Sequence, residues 1–238
     1  MRPQFRRVLG ALSVGIALLG IYALPVTAAP RNADSQLATS ATFVPGDFPP
    51  GFGATAASVP TNADNIRLAK GVAGCGPYIT LEKSTSTLSQ ARSPRFGDGS
   101  RTVENEVDVF KTDRAARDAL VLYAKPSVAG CLKKLYEKQI RANPALLGKV
   151  AAVAVTLARQ DIAGLGDDRV VYEGTVVVTG TDGLMEQVAV GTAAVRVGRV
   201  VDAVSSSSTG ADLTEILTPA IDASVARLRD AESVHPTT

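Results

Sequence analysis

The sequence predicts an α+β fold in which helices cover one antiparallel sheet, and three observations carry that prediction. In the back half of the chain, four valine- and alanine-rich segments follow one another through short turn-forming connections, which forces antiparallel neighbours. Ahead of them, residues 112–143 place apolar side chains at helical spacing. Behind them, residues 212–229 do the same, so helices group before and after the sheet and the expected architecture is a two-layer sandwich of about five strands.

The first seven residues carry Arg2, Arg6 and Arg7 with no acid, and residues 8–29 carry no charge at all. A basic start before an apolar run is the pattern of a secretory signal. Pro25 breaks the run, and Val26 and Ala28 suit the −3 and −1 positions of a peptidase site. Cleavage is therefore expected between Ala28 and Ala29, with residues 1–28 as signal peptide. An uncleaved membrane anchor is the alternative, since the run is about long enough to cross a hydrocarbon core. No cysteine stands at the cleavage point to receive a lipid.

Residues 29–42 read as a flexible lead-in of small and polar residues, 43–230 as one α+β domain, and 231–238 as a disordered tail. Within 43–52, Phe43, Phe48 and Phe52 are half of the six phenylalanines, set among prolines and glycines. That piece packs on the domain or, alternatively, presents Phe48 and Phe52 as a recognition loop. Thr61 and Asp64 start a helix carrying Ile66, Ala69, Val72 and Ala73 up to Cys75, which Gly76-Pro77 then stops. Residues 78–82 read as a short strand, and 84–101, rich in Ser, Thr, Gly and Arg, as a long loop. Residues 102–110 alternate Val103, Val107 and Val109 with Glu104, Glu106 and Asp108, the pattern of a half-exposed strand.

Thr112 suits the N-cap of a helix with Ala115, Ala116, Ala119, Leu120 and Tyr123 on one side. Pro126 separates it from a second helix, where Val128, Cys131, Leu132, Leu135, Tyr136 and Ile140 form the apolar face and Lys133, Lys134, Glu137 and Lys138 a solvated one. The strands of the back half are expected at 150–158, 169–179, 188–197 and 199–207. Pro219 is expected to kink the last helix or to begin its second half.

An exported chain meets an oxidising compartment, so pairing Cys75 with Cys131 is the natural reading; two buried free thiols are the alternative. Without residues 1–28 the chain has 22 basic against 23 acidic side chains and no basic cluster, which argues against a nucleic-acid partner. His235, the single histidine, lies in the terminal tail. Catalysis that needs a positioned imidazole, and metal sites built on histidine, therefore lack their central residue. No catalytic residue, metal ligand or cofactor is expected. A carboxylate pair such as Asp167 with Asp168 or Glu186 is the remaining enzymatic option, a hydrolase. A further alternative is a carrier with an apolar cavity for a lipid between helices and sheet.

Asp47-Phe48-Pro49-Pro50-Gly51-Phe52, the two cysteines placed on helices, and Leu165-Gly166-Asp167-Asp168 leading into Val170-Val171-Tyr172 form an arrangement with a counterpart. It resembles secreted actinobacterial envelope proteins related to the extracellular sensor domain of receptor Ser/Thr kinases. The likeness spans about residues 43–228. It implies a PsbP-like α/β sandwich, with Cys75 and Cys131 matching a helix–helix bridge. Those sensor domains commonly carry a second disulfide, for which this sequence has no cysteines, and no kinase domain follows. The resemblance implies a stand-alone, non-catalytic binding or interaction module, secreted or in the cell envelope. Its partner would be an envelope component or a small hydrophobic ligand, with membrane contact only through an uncleaved signal.

Overall fold

The computed structural model describes residues 32–56, 62–84, 86–143, 146, 148–160, 168–210 and 212–234. The expected signal peptide with its Ala28–Ala29 junction, the expected helix start at Thr61, the turn residue Asp167 and the tail residue His235 lie outside them. The helices are α1 (Asn32–Ser40), α2 (Asn62–Ala69), α3 (Gly76–Glu82), α4 (Asp113–Tyr123), α5 (Pro126–Ala142) and α6 (Thr214–Val234). The strands are β1 (Gly53–Thr55), β2 (Thr87–Arg92), β3 (Arg95–Gly97), β4 (Arg101–Phe110), β5 (Val150–Gln160), β6 (Arg169–Gly180), β7 (Met185–Val197) and β8 (Val200–Ser208). They form one antiparallel sheet of eight strands, β1-β3-β4-β8-β7-β6-β5, with β2 pairing β4 beside β3.

The α+β class stands, but the sheet is larger than about five strands and helices cover both of its faces. Alternate residues show this directly. On β8, Val201 and Ala203 pack with α3, α4 and α5, while Val200 and Val204 pack with α1 and α6. On β7, Val188, Val190 and Ala194 join the first core and Ala193, Val195 and Val197 the second. Strands buried on both faces read as continuous runs of small apolar residues, which is what the back half of this chain contains.

The lead-in is structured. Residues 32–40 form α1, and Leu37, Ala38 and Ala41 are buried in the second core. Anchors along the segment hold it there: Asp34 pairs with Arg199 at 2.6 Å, Asn105 Oδ1 accepts the Phe43 amide at 3.0 Å, and Asp47 pairs with Arg227. Small helix-compatible residues with polar neighbours look the same in sequence whether they pack or not. The docking partner decides, and it lies far along the chain.

Residues 78–82 are helical, not a strand. Pro77 sits in the first turn of α3, where a missing N–H costs no hydrogen bond, so the proline begins this helix. Tyr78, Leu81 and Glu82 then fall on the buried side at helical spacing. The preceding helix stops at Ala69, so Cys75 is the residue that precedes α3. The expected loop over 84–101 holds β2 and β3, whose polar side chains meet partners on β4. At the C-terminal end α6 runs unbroken through Pro219 to Val234 and buries Ala231, so the tail does not begin at 231.

The other helices and strands expected from residue 112 onward match closely. Thr112 Oγ1 accepts the Ala115 amide at 3.1 Å as the N-cap of α4. Pro126 opens α5 in the same way that Pro77 opens α3. The β7–β8 turn is the Gly198-Arg199 tip, with Gly198 at φ +52° under the Glu232 carboxylate. On the charged side of α5, Lys134 and Lys138 donate to the carbonyls of Ala73 and Leu68, which ties α2 and its exit loop to that helix.

Cys75 and Cys131 are bonded, fully buried, and 56 residues apart. In the chain-entropy account a loop of that length stabilises by about 4 kcal/mol. Replacing both cysteines with serine is expected to lower the midpoint of denaturant unfolding accordingly, and an unchanged midpoint in oxidised samples would show the bridge to be inert. Asn105→Ala, which strands the Phe43 amide and removes one of the two donors to the buried Asp202 carboxyl, is expected to cost about 2 kcal/mol in the same measurement.

Candidate functional site

Strand alternation sends Glu104, Glu106 and Asp108 of β4 toward α3, α4 and α5, together with Phe110 of the first core. The helices overhead leave Glu106 3% and Asp108 0% exposed, so the half-exposed strand expected from the sequence is buried on both sides. The register of β2 brings Gln90 opposite Asp108 and Arg92 opposite Glu106. The Gln90 side-chain amide donates to Glu106 and, at 3.0 Å, to Asp108 Oδ1, while Arg92 forms an ion pair with Glu106. Glu104 pairs with Arg95 at 3.0 Å.

A third interior acid enters from above. Glu82, at the C-terminal end of α3, is fully buried, with Tyr78 one turn earlier and Asn65 of α2 as its polar neighbours. Burial pushes the Glu82 carboxyl well above its ordinary range, and the nearby Glu106 adds to this. Burial likewise raises Asp108, with Glu106 again adding. Glu106 is raised to about 8 by burial, in spite of Arg92. Among the described residues three acids thus face one guanidinium, that of Arg92, which has no other acidic partner there, and protons supply the rest of the neutralisation.

On the opposite face, Asn105 Nδ2 donates to Asp202 Oδ2 at 2.9 Å and Ser224 of α6 donates to the same oxygen at 2.6 Å. Burial raises Asp202 to about 7, against those two hydrogen bonds. This group holds α6 and the N-terminal segment to β4 and β8.

The surface offers a cleft of about 540 Å³ between the C-terminal end of α3 with its following turn and one side of α4. Leu81, Ala119 and Leu122 contribute an apolar floor, and the side chains of Ser84, Ser86 and Thr112 contribute hydroxyls. Lys83 and Arg114 bring positive charge, with Asp118 at 3.9 Å from Arg114. Both members of that last pair are largely exposed, so the pairing is weak and leaves Arg114 available.

The residues singled out in the sequence fall elsewhere. Phe48 and Phe52 are half-buried and stacked at 5.7 Å; Phe48 also meets Phe43 at 5.2 Å and Phe96 at 5.0 Å, and Arg101 lies over the Phe52 ring. The rings form a packed clasp on the β1–β3 corner. Asp168 is held by Arg196 at 2.8 Å, with Arg117 at 3.8 Å. Glu186 pairs with Val178 at the far end of β6, about 30 Å from Asp168 at strand rise, and Asp167, the acid common to the two expected pairs, lies outside the described residues. Among the described residues no group of three or more His, Cys, Asp or Glu is arranged to hold a metal ion, and no helix is long and apolar enough to cross a membrane.

No family model and no curated protein matches the sequence. Among solved structures, the extracellular domain of PknH from Mycobacterium tuberculosis is similar at 12% identity and a TM-score of 0.43, over 84% of this chain and 96% of that one. The likeness amounts to a weak relationship of fold.

Raised interior acids give a definite pH dependence. A carboxyl whose folded-state value lies above its ordinary one favours folding while it keeps its proton. For Glu106 that contribution is complete below its ordinary 4.5 and is lost as pH climbs to about 8; for Asp202 the window runs from 3.8 to about 7. The melting temperature is therefore expected to fall steadily from pH 5 to pH 8.5, and Glu106→Gln to flatten the upper part of that fall. Calorimetry across the range checks both, and a melting temperature that rises with pH would refute the assignment.

Proposed function

We propose that this chain is an extracytoplasmic, non-catalytic binding module, sensor-like in character, that takes a small anionic envelope ligand in the α3–α4 cleft. The observation that carries the reading is the cleft itself, an open concavity with an apolar floor, several hydroxyls, and Lys83 and Arg114. A ligand with a negative charge and hydrogen-bonding groups would satisfy all of these at once. The disulfide supports the compartment, since such bonds persist where thiols are oxidised. The acids with the most displaced protonation support a non-catalytic role, because Glu82, Glu106, Asp108 and Asp202 are sealed where a substrate could not touch them.

The alternatives fit the geometry less well. A lipid carrier calls for an apolar cavity between helices and sheet, whereas this cleft lies between two helices and bears cations and hydroxyls. A carboxylate hydrolase calls for two acids on one substrate; of the acids named for it, Asp168 is engaged by Arg196, and Asp167, common to both candidate pairs, lies outside the described residues.

The chain purified from the medium or envelope of a bacterial host that exports it is expected to show a higher mass under native than under denaturing conditions, the difference being a retained anionic molecule. The double variant Lys83→Glu/Arg114→Glu is expected to lose it while melting as the parent does. A bare parent protein, or a retained molecule that survives charge reversal, would overturn the reading.

A further inference from the structure

Helix α3 is held at its two ends by different means. At its start, Cys75 is bonded to α5 through Cys131. At its end, the hold comes from Leu81 and from Glu82 inserted above Glu106 and Asp108. The loop before α3 turns at Gly71 and Gly74, both at positive φ, and the turn after it carries Lys83 and Ser84 of the cleft. The outward side of the same helix contributes Thr80 to the cleft wall.

We propose that Glu82, Glu106 and Asp108 form a proton-operated latch that fastens the C-terminal end of α3 to β4 and so sets the width of the α3–α4 cleft. The part that concerns ligand binding rests on the cleft reading above; the latch itself does not. The groups that face the cluster are few. From β2 come Arg92 and the neutral Gln90; from β4, Glu104, already paired with Arg95; from β8, Asp202, which acts on Glu106 from the opposite face. Among the described residues the helices bring the neutral Asn65, Tyr78 and Tyr123, with Tyr136 beside Glu104.

One carboxylate is matched by Arg92, and a second has no counter-ion. Loss of a second proton places like charges together in the interior, where they cost far more than in water. Strands β2 and β4 are fixed by their ladders and cannot separate. The movable member is Glu82, which reaches solvent if the end of α3 swings out about its anchored start, in the manner of a hinge. The raised protonation of all three acids agrees with this arrangement.

Hydrogen exchange on the full chain, disulfide intact and without ligand, tests the latch. After correction for intrinsic rates, the amides of Lys83 and Ser84, bonded to Ile79 and Leu81, are expected to lose about tenfold or more in protection between pH 6 and pH 8.5. Amides of β6 and β7 serve as the internal reference and should move far less. Glu82→Gln, which keeps shape and removes the charge, is expected to abolish the pH dependence, and Glu106→Gln to weaken it from the strand side. Protection at 83–84 that tracks the β6–β7 reference at every pH would overturn the proposal, as would an unchanged pH dependence in both variants. Failure of the latch leaves the retained-ligand result untouched, and a bare protein in that experiment leaves the exchange result untouched.

Discussion

Strand β4 lies inside the sheet with both faces covered, and it buries polar groups on each of them. The cost of leaving such groups unpaired is large, so each has to be met from another element. Asn105 is met by Phe43 and Asp202; Glu106 and Asp108 by Gln90 and Arg92; Glu82 descends from α3 to the same place. The N-terminal segment, the paired edge strand β2, helix α6 and helix α3 are thus positioned by one ten-residue strand. Hydrophobic contact brings these elements together, and the polar contacts to β4 select a single register among the many that apolar burial alone would tolerate.

The back half of the fold was legible because its signals are local. Period-two valines, a Gly-Arg tip and a Thr N-cap each act within a few residues, and β6, β7, β8 and α4 follow from them. The front half was not legible, for a physical reason that recurs. Glu104, Glu106 and Asp108 alternate with valines as they would on a strand with one wet face, and only the presence of a second helical layer makes that face dry. The surplus of amphipathic helices over what one sheet face can accommodate was the available sign of that layer. Pro77 and α1 illustrate the same point: a proline after a glycine reads as a stop, and small residues read as a linker, unless the surface they dock on is known.

The candidate site shows the same division. The cysteine pair was readable from compartment and count. The cleft was not, because its lining comes from α3, the turn after it and α4, joined only through the intervening strands β2, β3 and β4. Phe48 and Phe52 attracted attention as aromatic residues in a loop, yet the Phe48 ring is used against Phe43 and Phe96 and the Phe52 ring stacks on Phe48, where they close the corner of the sheet beside the Asp47–Arg227 pair.

The covalent loop from Cys75 to Cys131 encloses α3, β2, β3, β4 and α4, so the strand on which the polar network depends lies within it. Under mechanical load applied from outside the loop, the force passes through the sulfur–sulfur bond and bypasses the enclosed residues. About 200 Å of chain is thereby withheld from extension. Tension can strip β5, β6 and α6 away while β4 and its partners β2 and β3 bear no pull along their backbone, and a reductant would lengthen the stretched molecule in one discrete step.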